Sequence, residues 1–283
     1  MSTLPVKLIR ELAVSAASGL VYFLGRIYVI ADDELSLWVY PDEGGGEAEI
    51  YPLLHGSLPE KKKERKKIKP DFETLVRHQS KLIAIPSGSK PNRNIAISIE
   101  LNQVGKVDSV NAFSLEKIIN HLIKTYAELN LEGAVICGDE IYLFQRGNGS
   151  LEQNGVVSMP LIHFLNDQPE KIKFLSASLG MLRGKGLSFT DACIGPEGKI
   201  YFLAVAEDSG TTYEDGIVSG CAMGIIDKDS GEVSSLEILA LTSKPEGLDY
   251  NAEKSLFYLV TDDDDRSLPA KLYSTPGART SGS

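Results

Sequence analysis

Cysteine is scarce in this chain. Its three copies, Cys137, Cys193 and Cys221, form no Cys-x-x-Cys pair, which excludes a disulfide framework and a thiolate zinc site. Cys137 and Cys193 fall inside apolar runs, the usual setting of small core residues. The four histidines, His55, His78, His121 and His163, are too far apart for metal-ligand spacing. No apolar run approaches the ~20 residues that cross a bilayer as a helix. There is no Gly-x-Ser-x-Gly elbow, which excludes that class of serine hydrolase. The run Gly180-Met181-Leu182-Arg183-Gly184-Lys185-Gly186 has too few residues between its glycines and no Ser or Thr after the lysine, so it is not a phosphate loop.

Positive charge is also short. Lys and Arg number 29 against 39 Asp and Glu, a net charge of −10, and general nucleic-acid binding needs the opposite balance. One segment dissents: Glu60 to Lys69 (EKKKERKKIK) holds seven basic and two acidic residues. It reads as a solvated surface loop or a docking patch for an acidic partner. Lys7, Arg10 and Glu11 interrupt any signal-peptide core behind Met1, so the expectation is a cytoplasmic protein with no membrane partner. Asp227-Lys228-Asp229-Ser230-Gly231-Glu232 alternates acids like a calcium loop but lacks the rest of that ligand set, and reads as a hairpin turn.

What the chain does contain is a repeat. Phe72-Glu73-Thr74-Leu75, Leu131-Glu132-Gly133-Ala134, Thr190-Asp191-Ala192-Cys193 and Pro245-Glu246-Gly247-Leu248 each place an acid at the start of a strand, and Ala17-Ser18-Gly19-Leu20 carries Ser18 in its place. The spacings are 55, 59, 59 and 55 residues. After each copy comes a strand, a tight turn and a second aliphatic and tyrosine-rich strand, as in Leu20 to Leu24 with Ile27 to Ala31, or Leu248 to Tyr250 with Ser255 to Thr261. Further strands follow, such as Leu35 to Tyr40 and Ala48 to Leu53. Four antiparallel strands per repeat around an axis predict an all-β fold, a β-propeller of five blades, in one domain over 1–275. A sixth blade is the alternative if the stretch from Gly149 to Leu187 hides a divergent copy. Val6 to Leu12 belongs to no repeat, and as the outer strand of blade five it would close the ring. Ser114 to Leu129 has helical spacing and is read as an insert. The Gly- and Ser-containing tail 276–283 is expected to be disordered.

In such a meander the repeat acids and the loops after the second strands share one face. Those loops are Ser87 to Asn94, Arg146 to Gly149, Glu207 to Asp215 and Asp262 to Arg266. Glu73, Glu132, Asp191 and Glu246 should converge on the axis, where four like charges need compensation. A divalent cation on oxygen ligands, with Ca²⁺ the best match, is one solution; pairing with Arg93 and Arg146 is another; shared protons are a third. The acids can also be a register device that holds backbone N–H groups of the next blade. Ser18 interrupts the ring and suggests an opening on the side of blade one.

The Glu-Gly-Leu and Glu-Gly-Ala starts followed by aliphatic-Tyr strands, as in Leu131-Glu132-Gly133-Ala134 with Ile141-Tyr142-Leu143-Phe144 and Pro245-Glu246-Gly247-Leu248-Asp249-Tyr250 with Leu256-Phe257-Tyr258-Leu259, resemble the phytase-like esterase propellers. They are similar in particular to uncharacterised bacterial propeller proteins of that broad group. The resemblance implies Ca²⁺ held by channel acids, here Glu73, Glu132, Glu246 and, off-pattern, Asp191, and in some members action on phosphate esters. Two functions are therefore in view. One is a metal-dependent hydrolase: metal on Glu73, Glu132 and Glu246, Asp191 or Asp262 as general base, and Ser87, Arg93, Gln145 and Arg146 for a small anionic ligand. The other is a monomeric, non-enzymatic propeller that binds a ligand or an unknown protein on the same face.

Overall fold

The computed structural model describes residues 2–43, 46–147, 151, 153–208, 217–263 and 265–277. Five antiparallel sheets form the blades of a propeller, as the repeat predicts. Blade one comprises Ala17–Phe23, Arg26–Ala31, Ser36–Pro41 and Glu49–Pro52; blade two, Phe72–His78, Lys81–Pro86, Ile95–Leu101 and Val107–Ser114; blade three, Leu131–Cys137, Glu140–Gln145, Gly155–Pro160 and Lys173–Ser176. Blade four runs through Lys185–Ile194, Ile200–Asp208, Ile217–Ile226 and Val233–Leu239, and blade five through Lys244–Asn251, Leu256–Asp262 and Lys271–Thr275. The first strand of each blade touches that of the next, and the fifth touches the first, so these strands surround the axis.

The inner strands of each blade are largely apolar because both of their faces are covered, whereas outer strands such as Val107–Ser114 are mostly exposed. Side chains alternate across a strand, and here the alternation sends them to opposite neighbours. Leu20 packs toward blade five and Val21 toward blade two; Ile141 packs toward blade two and Tyr142 toward blade four. The result is five separate apolar cores, one between each pair of adjacent blades.

Closure is by the N-terminus. Lys7–Glu11 pairs antiparallel with Lys271–Thr275 and is the fourth strand of blade five. Sequence did not point to the preceding step, in which Thr3–Leu4 pairs parallel with Val233–Leu239 on the edge of blade four. Leu4 fills the core between blades four and five and Leu12 the core between five and one, so a short segment stitches the ring.

Among the described residues there is no sixth blade. Gly155–Pro160 and Lys173–Ser176 complete blade three, and Met181–Leu182 forms a hairpin with the start of Lys185–Ile194. Among the described residues three short α-helices decorate the ring: α1 (Lys62–Ile68), α2 (Glu116–Leu122) and α3 (Leu161–Leu165). The segment read as a basic loop thus contains α1. The insert expected over 114–129 is helical only as α2, and turns carry it onward while Leu122, Tyr126 and Leu129 stay in the core between blades two and three. Thr125 and Tyr126 are weak helix formers, and Tyr126 is spent on packing instead. The Asp167 carboxylate accepts the Lys117 and Ile118 N–H groups at 3.0 Å each and anchors the start of α2. Asp227 to Glu232 is a turn between two strands, with Asp227 Oδ1 accepting the Ser230 N–H at 2.7 Å. Among the described residues no helix is long and apolar enough to cross a membrane.

Candidate functional site

All five first strands carry a β-bulge, at the start of the strand in four blades and midway along Lys185–Ile194 in blade four. The pairing register slips between Ala17 and Gly19, Phe72 and Thr74, Leu131 and Gly133, Phe189 and Asp191, and Pro245 and Gly247. The bulged residues are therefore Ser18, Glu73, Glu132, Thr190 and Glu246. A bulge leaves its extra residue out of the ladder and re-aims the side chain. Here the re-aiming gathers three carboxylates: oxygens of Glu73, Glu132 and Glu246 lie within 4.8 Å of one another.

The fourth blade corrects the sequence alignment. Its equivalent of the repeat acid is Thr190, one residue before Asp191. Hydrogen bonds support this assignment. Ser18 Oγ donates to the Phe72 carbonyl at 2.5 Å and Thr190 Oγ1 to the Pro245 carbonyl at 2.7 Å, each reaching the residue just before the next blade's bulged glutamate. Asp191 instead holds the position of Gly19, Gly133 and Gly247. At those glycines a Cβ would lie 2.8 Å from the Leu75 nitrogen, 2.9 Å from that of Ala192 and 3.0 Å from that of Leu20, so the next blade's backbone forbids a side chain. Asp191 meets the same approach with a carboxylate, accepting the Leu248 N–H at 2.7 Å and the Ala192 N–H at 2.8 Å. Asp249 does likewise toward Tyr22 and Tyr250. The register role thus belongs to Asp191 and Asp249, while the three bulged glutamates are directed elsewhere.

Basic partners surround the glutamates. Arg146 bridges Glu132 at 3.0 Å and Glu207 at 2.7 Å. Lys244 lies 2.5 Å from Glu246 and 3.4 Å from Glu207. Asn130 Nδ2 donates to Glu132 at 2.6 Å. Arg93 pairs with Asp71 at 2.6 Å and donates to Ser89 Oγ at 2.5 Å. Lys69 contacts Asp32 and lies 2.8 Å from Asp71. Six carboxylates (Asp32, Asp71, Glu73, Glu132, Glu207, Glu246) therefore meet four cations (Lys69, Arg93, Arg146, Lys244), leaving the cluster two positive charges short. Two oxygens, Glu132 Oε2 and Glu246 Oε2, are buried without any hydrogen-bond partner. Glu73, the third member of the trio, is half-buried beside them.

The deficit appears in the acidities. Burial, with Glu132 nearby, pushes Glu246 up to about 8 against the pull of Lys244. Burial and the charges of Asp71 and Glu132 push Glu73 well above the usual carboxylate range. Burial lifts Asp32 to about 6. Burial also works to raise Glu207, but Arg146 and Lys244 outweigh it and hold that carboxyl low.

Of the residues singled out by sequence, Glu73, Glu132, Glu246 and Arg146 come together at the axis. Arg93 and Ser87 both bind Asp71, beside that trio. Gln145 spends its amide on the backbone of Glu128, Asn130 and Arg146. Asp262 lies apart, lining a cavity of about 80 Å³ with Ala16, Asp32, Lys62, Lys69 and Arg266. This cavity is on the side of blade one, where Ser18 interrupts the acids. Asn148, Gly149, Asp264, the loop 209–215 and residues 278–283 of the tail lie outside the described residues.

Sequence reading passed over Asp32, Lys69, Asp71 and Lys244. A signal was present for two of them. Asp71 and Lys244 each stand two residues before a repeat glutamate, Glu73 and Glu246, close enough in the chain to join them. The same spacing joins Asn130 to Glu132.

Solved structures with the same architecture include the glutaminyl cyclase of Myxococcus xanthus, 11% identical, with 97% of each chain covered and a TM-score of 0.57. A luciferin-regenerating enzyme (12% identity, 97% of this chain and 81% of that one, TM-score 0.46) and the RRP9 WD40 repeats (9%, 96% and 97%, TM-score 0.44) are also similar. No curated protein matches. The likeness to the glutaminyl cyclase supports the propeller, and none of the three carries a phytase-like assignment. The model of a family of unknown function, DUF6929, matches residues 13–276, and the chain belongs to that family.

Proposed function

We propose that the channel mouth is a centre for one hard divalent cation, Ca²⁺ foremost, held by Glu73, Glu132 and Glu246, at which a small anionic ligand such as a phosphate ester is bound or hydrolysed. The observation that carries this reading is the pair of orphaned oxygens, Glu132 Oε2 and Glu246 Oε2. Buried polar atoms without partners are rare and costly. Two of them beside a third carboxylate, Glu73, in a cluster with more acids than paired cations, suit an all-oxygen cation cradle. The separation also fits, because ligands at 2.3–2.6 Å from one Ca²⁺ can stand nearly 5 Å apart.

A cation bound there would polarise a phosphoryl or carbonyl oxygen. The chain's own residues do the positioning. Arg146 and Asn130 fix one Glu132 oxygen and Lys244 fixes one of Glu246, which leaves the second oxygen of each free to ligate. Ser87 and Arg93 hold Asp71 beside them. Asp262 lines the cavity that adjoins the cluster and would be the general base there; Asp191 is committed to two backbone N–H groups.

Elemental analysis of purified protein and thermal melts with and without chelator test the reading. About one divalent cation per chain, a chelator-dependent melting temperature and reduced metal content in Glu132→Gln are expected. Equal metal content in wild type and variant, with melts indifferent to chelator, would favour the non-enzymatic scaffold instead.

A further inference from the structure

A second trio of carboxylates adjoins the first. Oxygens of Asp32, Asp71 and Glu73 also lie within 4.8 Å of one another, and Glu73 belongs to both groups. Two acidic trios that share one carboxylate have the outline of a two-cation cradle, the arrangement in which paired metals clamp an in-line displacement. The two halves differ in one respect. The Glu73–Glu132–Glu246 half keeps two buried oxygens without partners. The Asp32–Asp71–Glu73 half already contains a cation, the ammonium of Lys69, in contact with Asp32 and 2.8 Å from Asp71.

That ammonium is fixed from several directions. Lys69 is 9% exposed, and its backbone N–H closes the end of α1 on the Arg65 carbonyl at 2.8 Å. Pro70 follows at once, and Asp71 takes a positive φ of 60° while donating its N–H to the Asp32 carbonyl at 3.1 Å. The other Asp71 oxygen is held by Arg93 and Ser87. The basic segment that looked like a surface loop is thus the anchor that delivers one lysine inward.

We propose that Lys69 takes the place of the second metal, so that the centre holds a single divalent cation and Lys69 fixes that stoichiometry as a positioning residue. This rests on the reading of Glu73, Glu132 and Glu246 as a cation site. An ammonium balances charge through three N–H donors but offers no open coordination position. Any chemistry at this mouth is therefore of the one-metal kind. The cavity of about 80 Å³ that Lys69 and Asp32 line gives solvent a route to this half.

The test counts Mn²⁺ on the full chain, by equilibrium dialysis with elemental analysis and by electron paramagnetic resonance. Wild type should take one Mn²⁺ with an uncoupled spectrum. Lys69→Met should take two, with the spin-coupled spectrum of neighbouring ions, while Lys69→Arg stays at one. Wild type at one and Lys69→Met also at one overturns the inference and leaves the primary site standing. Wild type at zero removes the primary site and the inference with it. Wild type at two, with coupled spins, overturns the inference whatever the variant does. If Lys69→Met does not fold, Asp32→Asn replaces it: retention of one Mn²⁺ within about twofold of wild-type affinity supports the assignment, and loss of the ion refutes it.

Discussion

Replacing Glu246 by Gln should make the metal-free protein more stable at alkaline pH, although it deletes one member of an ion pair. In the folded chain Glu246 titrates at about 8, against an ordinary value of 4.5, chiefly because of burial. A carboxyl whose folded pKa lies above its unfolded pKa retains its proton in the native state while the unfolded chain releases it. Stability therefore declines as pH rises from about 4.5 through about 8 and is level above that. At 1.36 kcal/mol per pH unit the whole decline is roughly 4 to 5 kcal/mol. Gln cannot ionise, so the difference in unfolding free energy between variant and wild type should swing by most of that amount between pH 5 and pH 8.5. Lys244 keeps Glu207 as a partner, at 3.4 Å, and is not stranded by the change. The assay is urea unfolding of both proteins in chelator across this range, compared by difference so that other titrating groups cancel. Ca²⁺ at 100 times its Kd should then restore about 2.7 kcal/mol to wild type and little to the variant. A difference that stays flat with pH, or a variant less stable than wild type at pH 8.5 in chelator, would refute the claim that Glu246 is an uncompensated buried acid.

Three further outcomes follow from the same geometry. Gly133→Ala places a methyl group 2.9 Å from the Ala192 nitrogen and should cost about 1–3 kcal/mol, read as a lower urea midpoint at unchanged slope, with metal content unaltered. Thr190→Val removes the 2.7 Å bond to the Pro245 carbonyl and leaves that acceptor short of a donor; about 1–2 kcal/mol, or a melting temperature lower by a few degrees, is expected. Arg146→Met leaves Glu132 without a cation and Glu207 with Lys244 alone, and should cost about 3–5 kcal/mol in chelator, a loss that Ca²⁺ partly reverses in a thermal melt because the ion supplies the missing charge.

Much of this molecule was legible in the chain. Equal spacing along the sequence becomes equal angular position around an axis, so the repeats announced five blades and brought Glu73, Glu132 and Glu246 to one place. The unassigned segment Val6 to Leu12 announced closure, because a ring with an open edge must find another strand. Pairing of the repeat acids with Arg146 was one of three compensations that a shared face allowed.

Tertiary structure decided the rest, for two physical reasons. Strand register is one: Thr190 and Asp191 are both polar and adjacent, and a slip of one residue turns a side chain to the other face. Only the packed neighbour shows that Thr190 occupies the bulge and Asp191 holds the backbone of blade five. Long-range charge pairing is the other. Lys69 meets Asp32 across 37 residues and Arg146 meets Glu207 across 61, and no local pattern encodes such encounters because loops deliver them. The chain therefore specified which acids gather, and the fold selected the cations that answer them and the two buried oxygens that none of those cations reaches.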